Sequence, residues 1–81
     1  LYQGTTRIGR GDDNEIVIKD PAIARRGHAQ IREAHGNFTI SDLDSKSGTL
    51  LNGKKIRASQ VLQTGDEITI GDTTLKFVSS R

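Results

Sequence analysis

The fold class follows from residues 67–77, which read EITIGDTTLKF. Apolar side chains occupy every second position on each side of a Gly71-Asp72 pair, and a period of two is typical of half-buried β-strands. Glycine and aspartate both favour tight turns. This stretch therefore predicts two strands connected by a turn.

The same alternation recurs in three other places, pairing Ile16 with Ile18, Ala29 with Ile31, and Phe38 with Ile40. Many short alternating runs separated by turn residues predict an all-β sandwich or barrel. Asn52-Gly53 is the strongest hairpin signal, because both residues tolerate the positive φ of a type I′ turn. No apolar stripe has helical spacing, so we expect almost no helix.

Length and composition limit the kind of protein. With 81 residues, we expect positions 1–81 to form a single domain. The absence of cysteine excludes a disulfide framework and a thiolate metal site. No apolar run approaches the roughly 18 residues that span a bilayer, which predicts a soluble, cytoplasmic (intracellular) protein without membrane contact. Because the chain lacks an initiator Met and opens inside a predicted strand, we expect a piece excised from a longer protein.

Signals for catalysis are weak. His28 and His35 have no cysteine and no H-E-x-x-H sequence beside them, so they supply too few ligands for zinc. Ser41, Asp42 and His28 could be assembled as a triad, but no nucleophile-elbow sequence accompanies them. We therefore expect a protein that is not an enzyme and that uses neither a metal nor a cofactor.

Cations occur in three of the predicted loops, at Arg10, at Arg25 and Arg26, and at Lys46. Several loops of a sandwich meet at one end, where they present side chains jointly. Arginine forks beside hydroxyl and glycine N–H groups suit the oxygens of a phosphate. The loops either form an anion-binding cup or carry separate solvated charges. A net charge of +2 with few aromatic residues does not favour nucleic-acid binding.

Five short motifs follow one another along the chain, and their order is informative about the family. They are Ile8-Gly9-Arg10, Asn14 to Ile18, Arg25 to Ile31, Ser41 to Thr49, and Asn52-Gly53. Over nearly its whole length the chain resembles a forkhead-associated (FHA) domain. The resemblance implies a twisted β-sandwich of about eleven short strands. It also implies a non-catalytic adaptor in Ser/Thr kinase signalling, whose loops bind a phosphothreonine-containing protein or peptide.

The resemblance also implies how the phosphate would be bound. Arg10 matches the family's glycine-arginine motif, whose arginine grips the phosphate. The supporting cations would be Arg25, Arg26 and Lys46. Arg10 is therefore the residue on which we expect recognition to depend most.

Other residues would shape the site. His28 matches a histidine that braces the binding loops from within, and Gly9 and Gly48 would shape loops. Thr49 would also shape its loop, and Ser47 and Thr49 would lie around the peptide backbone.

Two positions depart from the family pattern. Arg25 stands where the family has a serine that hydrogen-bonds the phosphate, and Ser47 stands where asparagine holds the peptide backbone. Each lost hydrogen bond to a charged group is worth about 1.5–3 kcal/mol. Arg25 either compensates with its charge or fills the pocket. The alternative function is therefore a phospho-independent protein-interaction or scaffold FHA domain with a degenerate phosphate site.

Overall fold

The computed structural model describes residues 4–78, which fold into nine strands and no helix. The strands are β1 Gly4–Gly9, β2 Ile16–Val17, β3 Ala29–Ala34, β4 Asn37–Asp42, β5 Thr49–Leu51, β6 Lys54–Lys55, β7 Gln60–Val61, β8 Glu67–Ile70 and β9 Thr73–Lys76. No helix in this part of the chain is long and apolar enough to cross a membrane.

Two sheets pack against each other. One has the order β2-β1-β3-β4-β7 and the other β6-β5-β8-β9, and all neighbours are antiparallel except β1 and β2. This confirms the expected all-β sandwich. The described residues contain fewer than the expected eleven strands, because residues 18–25 meet β1 and the loop after it through isolated backbone hydrogen bonds, not through a continuous ladder.

The core forms where the inward faces of the two sheets meet. Ile8 and Ile40 come from the first sheet and Ile68 and Ile70 from the second, and each is at most 2% exposed. Burying an isoleucine side chain contributes about 1.5–3 kcal/mol. Ile16, by contrast, is 37% exposed, because β2 is a two-residue edge strand that ends before Ile18.

Tight turns close one end of the sandwich. Asn52 and Gly53 have φ values of +52° and +85°, which confirms the predicted type I′ hairpin between β5 and β6. His35 and Gly36, at +54° and +80°, close β3 and β4 in the same way. We call residues 35–36, 52–53 and 62–66 the hairpin end. The opposite end, formed by residues 10–15, 18–28 and 43–48, is the loop end.

Candidate functional site

Arg10 is the first residue after β1 and lies on the surface of the loop end. Its backbone N–H donates to the Ala24 carbonyl at 3.0 Å, and its Nε donates to the Ile23 carbonyl at 3.2 Å. A guanidinium group has five N–H donors. One donor thus fixes the orientation of the group, and the other four have no hydrogen-bond partner among residues 4–78, so they can meet an anion.

Arg10 and Arg25 line the same surface cleft of about 440 Å³. Its other lining residues are Gly11, Asp12, Lys19 and Pro21, and we call this the cation cleft. Lys19 is a third cation there, and its Nζ lies 3.0 Å from an Asp12 carboxylate oxygen. Sequence patterns did not single out Lys19, since it belongs to no motif and comes near Arg10 only because the chain folds back after β2.

Asn14 fastens the first loop to the second. This side chain is 7% exposed, and its amide donates to the carbonyls of Gly11 at 2.8 Å and Arg25 at 3.0 Å. A Cβ on Gly9 would lie 2.5 Å from the Asn14 amide nitrogen. Gly9 therefore leaves the space that the Asn14 side chain occupies.

His28 joins the second loop to the third. The side chain is fully buried, and its Nδ1 accepts a hydrogen bond from the Ala24 N–H at 3.0 Å. Because Nδ1 accepts, the proton is on Nε2, which donates to the Gly48 carbonyl at 2.6 Å. A single side chain thereby fixes the distance between two loops.

The third loop, residues 43–48, is organised by Asp42. Its carboxylate accepts hydrogen bonds from the backbone N–H and hydroxyl of Ser45 and from the Thr49 hydroxyl. The Ser45 hydroxyl in turn accepts from the Gly48 N–H. Burial alone would raise the pKa of Asp42, but the hydrogen bonds from Ser45 and Thr49 outweigh burial and lower it.

Thr49 and Ser47 both use their hydroxyls inside the protein. Thr49 is fully buried, so its side chain is not available to a peptide, and only the loop-shaping part of its expected role fits the structure. Ser47 is exposed, but its hydroxyl donates to the Ala22 carbonyl at 2.8 Å and thereby ties the third loop to the second.

Arg26 and Lys46 are exposed cations of the loop end that do not line the cation cleft. The structure thus brings Arg10 and Arg25 together with Lys19, and it leaves the other two predicted cations on neighbouring loop surfaces. Among residues 4–78, no group of three or more His, Cys, Asp or Glu side chains is placed to hold a metal ion.

Asp20 is a buried support that no sequence motif indicated. Its carboxylate accepts hydrogen bonds from the N–H groups of Ala22 and Asp72 and from the Thr73 hydroxyl. The hydrogen bond from Ala22, followed by that from Asp72, lowers the pKa of Asp20. Asp20 thereby anchors the second loop to the turn between β8 and β9.

Comparison with known proteins assigns this arrangement to a family. The sequence model of the FHA domain matches residues 6–71. The chain belongs to the FHA domain family. The resemblance that its motifs predicted is thereby confirmed.

Three relatives illustrate the relationship. The oxoglutarate dehydrogenase inhibitor of Corynebacterium efficiens is 44% identical over 98% of this chain, which spans 54% of that protein. A structure from work on phosphothreonine-dependent FHA domain interactions has a TM-score of 0.92 and 30% identity, covering 100% of this chain and 82% of that one. The structure of EmbR of Mycobacterium tuberculosis in complex with a low-affinity phosphopeptide has a TM-score of 0.89 and 37% identity. The match covers 96% of this chain and 20% of that one. This FHA domain thus corresponds to about half of the first relative.

Proposed function

We propose that this FHA domain binds phosphothreonine-containing proteins through the cation cleft, as a non-catalytic module of Ser/Thr kinase signalling. The observation that carries the proposal is the anchored guanidinium of Arg10, which shares one cleft with Arg25 and Lys19. Two of the relatives support it, since one comes from phosphothreonine-dependent FHA interactions and the other is bound to a phosphopeptide.

The charges in the cleft suit a phosphorylated side chain. A phosphate carries about −1.5 to −2 charge at pH 7 and three strong acceptor oxygens. Arginine binds such oxygens in pairs, and a charge-assisted hydrogen bond is about twice as strong as a neutral one. Arg10 is the principal contact in this proposal, because two hydrogen bonds to the second loop already hold it in place.

Arg25 replaces the family serine with a charge. Of the two outcomes that the sequence left open, compensation fits the structure better, because Arg25 lines the cleft wall and a cleft of about 440 Å³ stays open beside it. Gly11 holds the Arg25 backbone at the cleft, since its N–H donates to the Arg25 carbonyl at 2.9 Å. Arg26 and Lys46 add positive charge around the cleft without forming its wall.

Ser47 does not replace the family asparagine in the same way. Its hydroxyl already donates to the Ala22 carbonyl, so it offers no free donor to a peptide backbone. We therefore expect the phosphate, more than the peptide backbone, to supply affinity. The same departure favours the second candidate function, a scaffold that binds a protein partner without phosphate.

The test compares one phosphothreonine peptide with its unphosphorylated form by calorimetry. Replacing Arg10 by Gln should lower the affinity for the phosphorylated peptide by roughly 10- to 150-fold, the range for one lost hydrogen bond to a charged group. Arg32→Gln is the matched control, because Arg32 is an exposed arginine on β3 outside the cleft. Equal binding of both peptides, unchanged by Arg10→Gln, would support the scaffold and refute the phosphate site.

A further inference from the structure

Lys55 is a cation outside the cation cleft whose position is set by strand pairing. In the pairing of β5 with β6, Leu50 lies opposite Lys55 and Leu51 lies opposite Lys54. Leu51 packs against the core, so Leu50 and Lys55 lie on the outer face of the sheet. Lys54, the preceding residue of the strand, lies on the other face.

The side chain of Lys55 lies across Gly48. A Cβ placed on Gly48 would be 2.7 Å from the Cε of Lys55 and 3.4 Å from its Nζ. Gly48 has φ of +83°, so the site disfavours a side chain for a second reason. The missing side chain of Gly48 provides the space for the Lys55 stem, which packs while its ammonium group stays in water.

The segment beneath Lys55 belongs to the proposed binding site. The Gly48 carbonyl accepts from His28, and the neighbouring Ser47 hydroxyl donates to the Ala22 carbonyl. Ala22 lies next to Ile23, whose carbonyl holds the Arg10 guanidinium. The Lys55 ammonium group has no hydrogen bond or ion pair with any residue in 4–78. The unpaired cation of Lys55 therefore packs on the third loop at Gly48. That loop is hydrogen-bonded through Ser47 to the second loop, which holds Arg10.

We propose that Lys55 determines specificity by favouring phosphothreonine peptides that carry a second anionic side chain, a carboxylate or another phosphate, within a few residues of the phosphothreonine. This inference rests on the proposed function of the cation cleft. An extended peptide advances about 3.3 Å per residue, so a few residues carry it from one loop to the next. Packing of the lysine stem on Gly48 reduces the side-chain entropy that an ion pair would otherwise cost.

The test uses a phosphothreonine peptide with alanine at all neighbouring positions as the reference. Derived peptides carry one glutamate, or one phosphoserine, at each position from three residues before to three residues after the phosphothreonine. Their affinities are measured by fluorescence anisotropy for the wild type, Lys55→Gln and Lys54→Gln. Lys54→Gln is the matched control, since it removes the same charge from the same strand but from the opposite face.

One or two adjacent positions should show a roughly 1.5- to fivefold gain from glutamate, the size expected for an exposed ion pair. Phosphoserine at these positions should gain more. Lys55→Gln should remove the gain without weakening the reference peptide, and Lys54→Gln should keep it. Lys55→Glu should instead favour lysine at the same positions.

Several results would overturn the inference. It fails if no glutamate position improves binding, if the gain survives Lys55→Gln, or if Lys54→Gln removes it equally. In these cases the reference peptide still binds and the cation cleft stands. If the reference peptide itself does not bind the wild type, the proposed function fails and the role of Lys55 fails with it.

Discussion

The two ends of the sandwich use polar side chains in different ways. At the hairpin end, exposed polar groups pair with one another: the Asn52 amide donates to the Asp66 carboxylate at 3.0 Å and accepts from the Glu67 N–H at 2.9 Å. At the loop end, the buried side chains of Asn14 and His28 and the half-buried carboxylate of Asp42 bind the loops from inside. The exposed cations there are left to face solvent.

Loop length explains the difference. A two-residue hairpin is closed by its own backbone dihedrals, so residues 52–53 need only positive φ. Residues 18–28 are too long to be fixed by a single turn. Side chains of other segments (Arg10, Asn14 and Ser47) hold them, together with the segment's own His28. The Arg10 guanidinium and the Arg25 backbone are thereby held in place, which in the proposed function lowers the entropic cost of binding.

The largest effect is expected for His28 at the loop end, and His35 at the hairpin end provides the comparison. In His28→Asn the shorter side chain cannot reach both Ala24 and Gly48, so at least one of these two groups loses its partner, at about 1–3 kcal/mol. We expect the free energy of unfolding to fall by about 3 kcal/mol in urea denaturation, with loss of phosphopeptide binding. His35→Asn changes an exposed residue of the hairpin end and should cost less than about 0.5 kcal/mol. Equal effects of the two substitutions would contradict the bracing role of His28.

A smaller effect is expected at the hairpin end from Asn52→Ala. Alanine at φ of +52° costs about 1–2 kcal/mol, so urea denaturation should show a loss of that order. Phosphopeptide affinity should not change, because Asn52 is at the opposite end from the cation cleft. Asn52→Gly removes the same side chain but keeps the backbone freedom, and should recover part of the lost stability. A change in affinity with either variant would show that the two ends are not independent.

Acid should weaken the fold at both ends. Burial raises the pKa of Asp42, but hydrogen bonds from Ser45 and Thr49 outweigh burial and lower it. The hydrogen bond from Asn52 lowers the pKa of Asp66. A carboxylate with a lowered folded pKa stabilises the fold fully above its unfolded pKa of about 3.9. That stability is lost as the pH falls through the folded value. NMR titration of the carboxyl carbons should give midpoints below about 3.9 for both aspartates, and a midpoint at or above that value would contradict the hydrogen-bonding account.

The smallest effect is expected for the Asp12–Lys19 ion pair. Both side chains are highly exposed, at 92% and 69%, and such pairs contribute about 0–1 kcal/mol. Asp12→Asn should therefore change stability by less than about 0.5 kcal/mol. It should raise phosphopeptide affinity about two- to threefold at low salt, because Lys19 keeps its place in the cation cleft without a competing carboxylate. A loss of affinity would mean that Asp12 is needed to position Lys19.

Local patterns predicted the sandwich and the 52–53 hairpin, because period-two alternation and turn residues act over short distances. The FHA family was indicated separately, by the resemblance of five ordered motifs to that family. The same patterns missed Asp20, whose partners Asp72 and Thr73 are 52 and 53 residues away along the chain. They also missed Lys19 and Lys55, which belong to no motif and whose surroundings depend on a chain reversal and on strand pairing. Thr49 illustrates a second limit. Its motif indicated a place near the peptide, but the side chain faces inward to Asp42, and burial of this kind depends on the packed structure.

The proposed function requires that the loop end, and not the hairpin end, recognise phosphate. The most direct measurement is an NMR titration of the domain with a phosphothreonine peptide and with its unphosphorylated form, following backbone amide shifts. If the proposed function is right, shifts appear around Arg10, Arg25 and Ser47 with the phosphorylated peptide only, and none appear around Asn52. Equal shifts with both peptides, or shifts centred on residues 52–53 and 62–66, would contradict it.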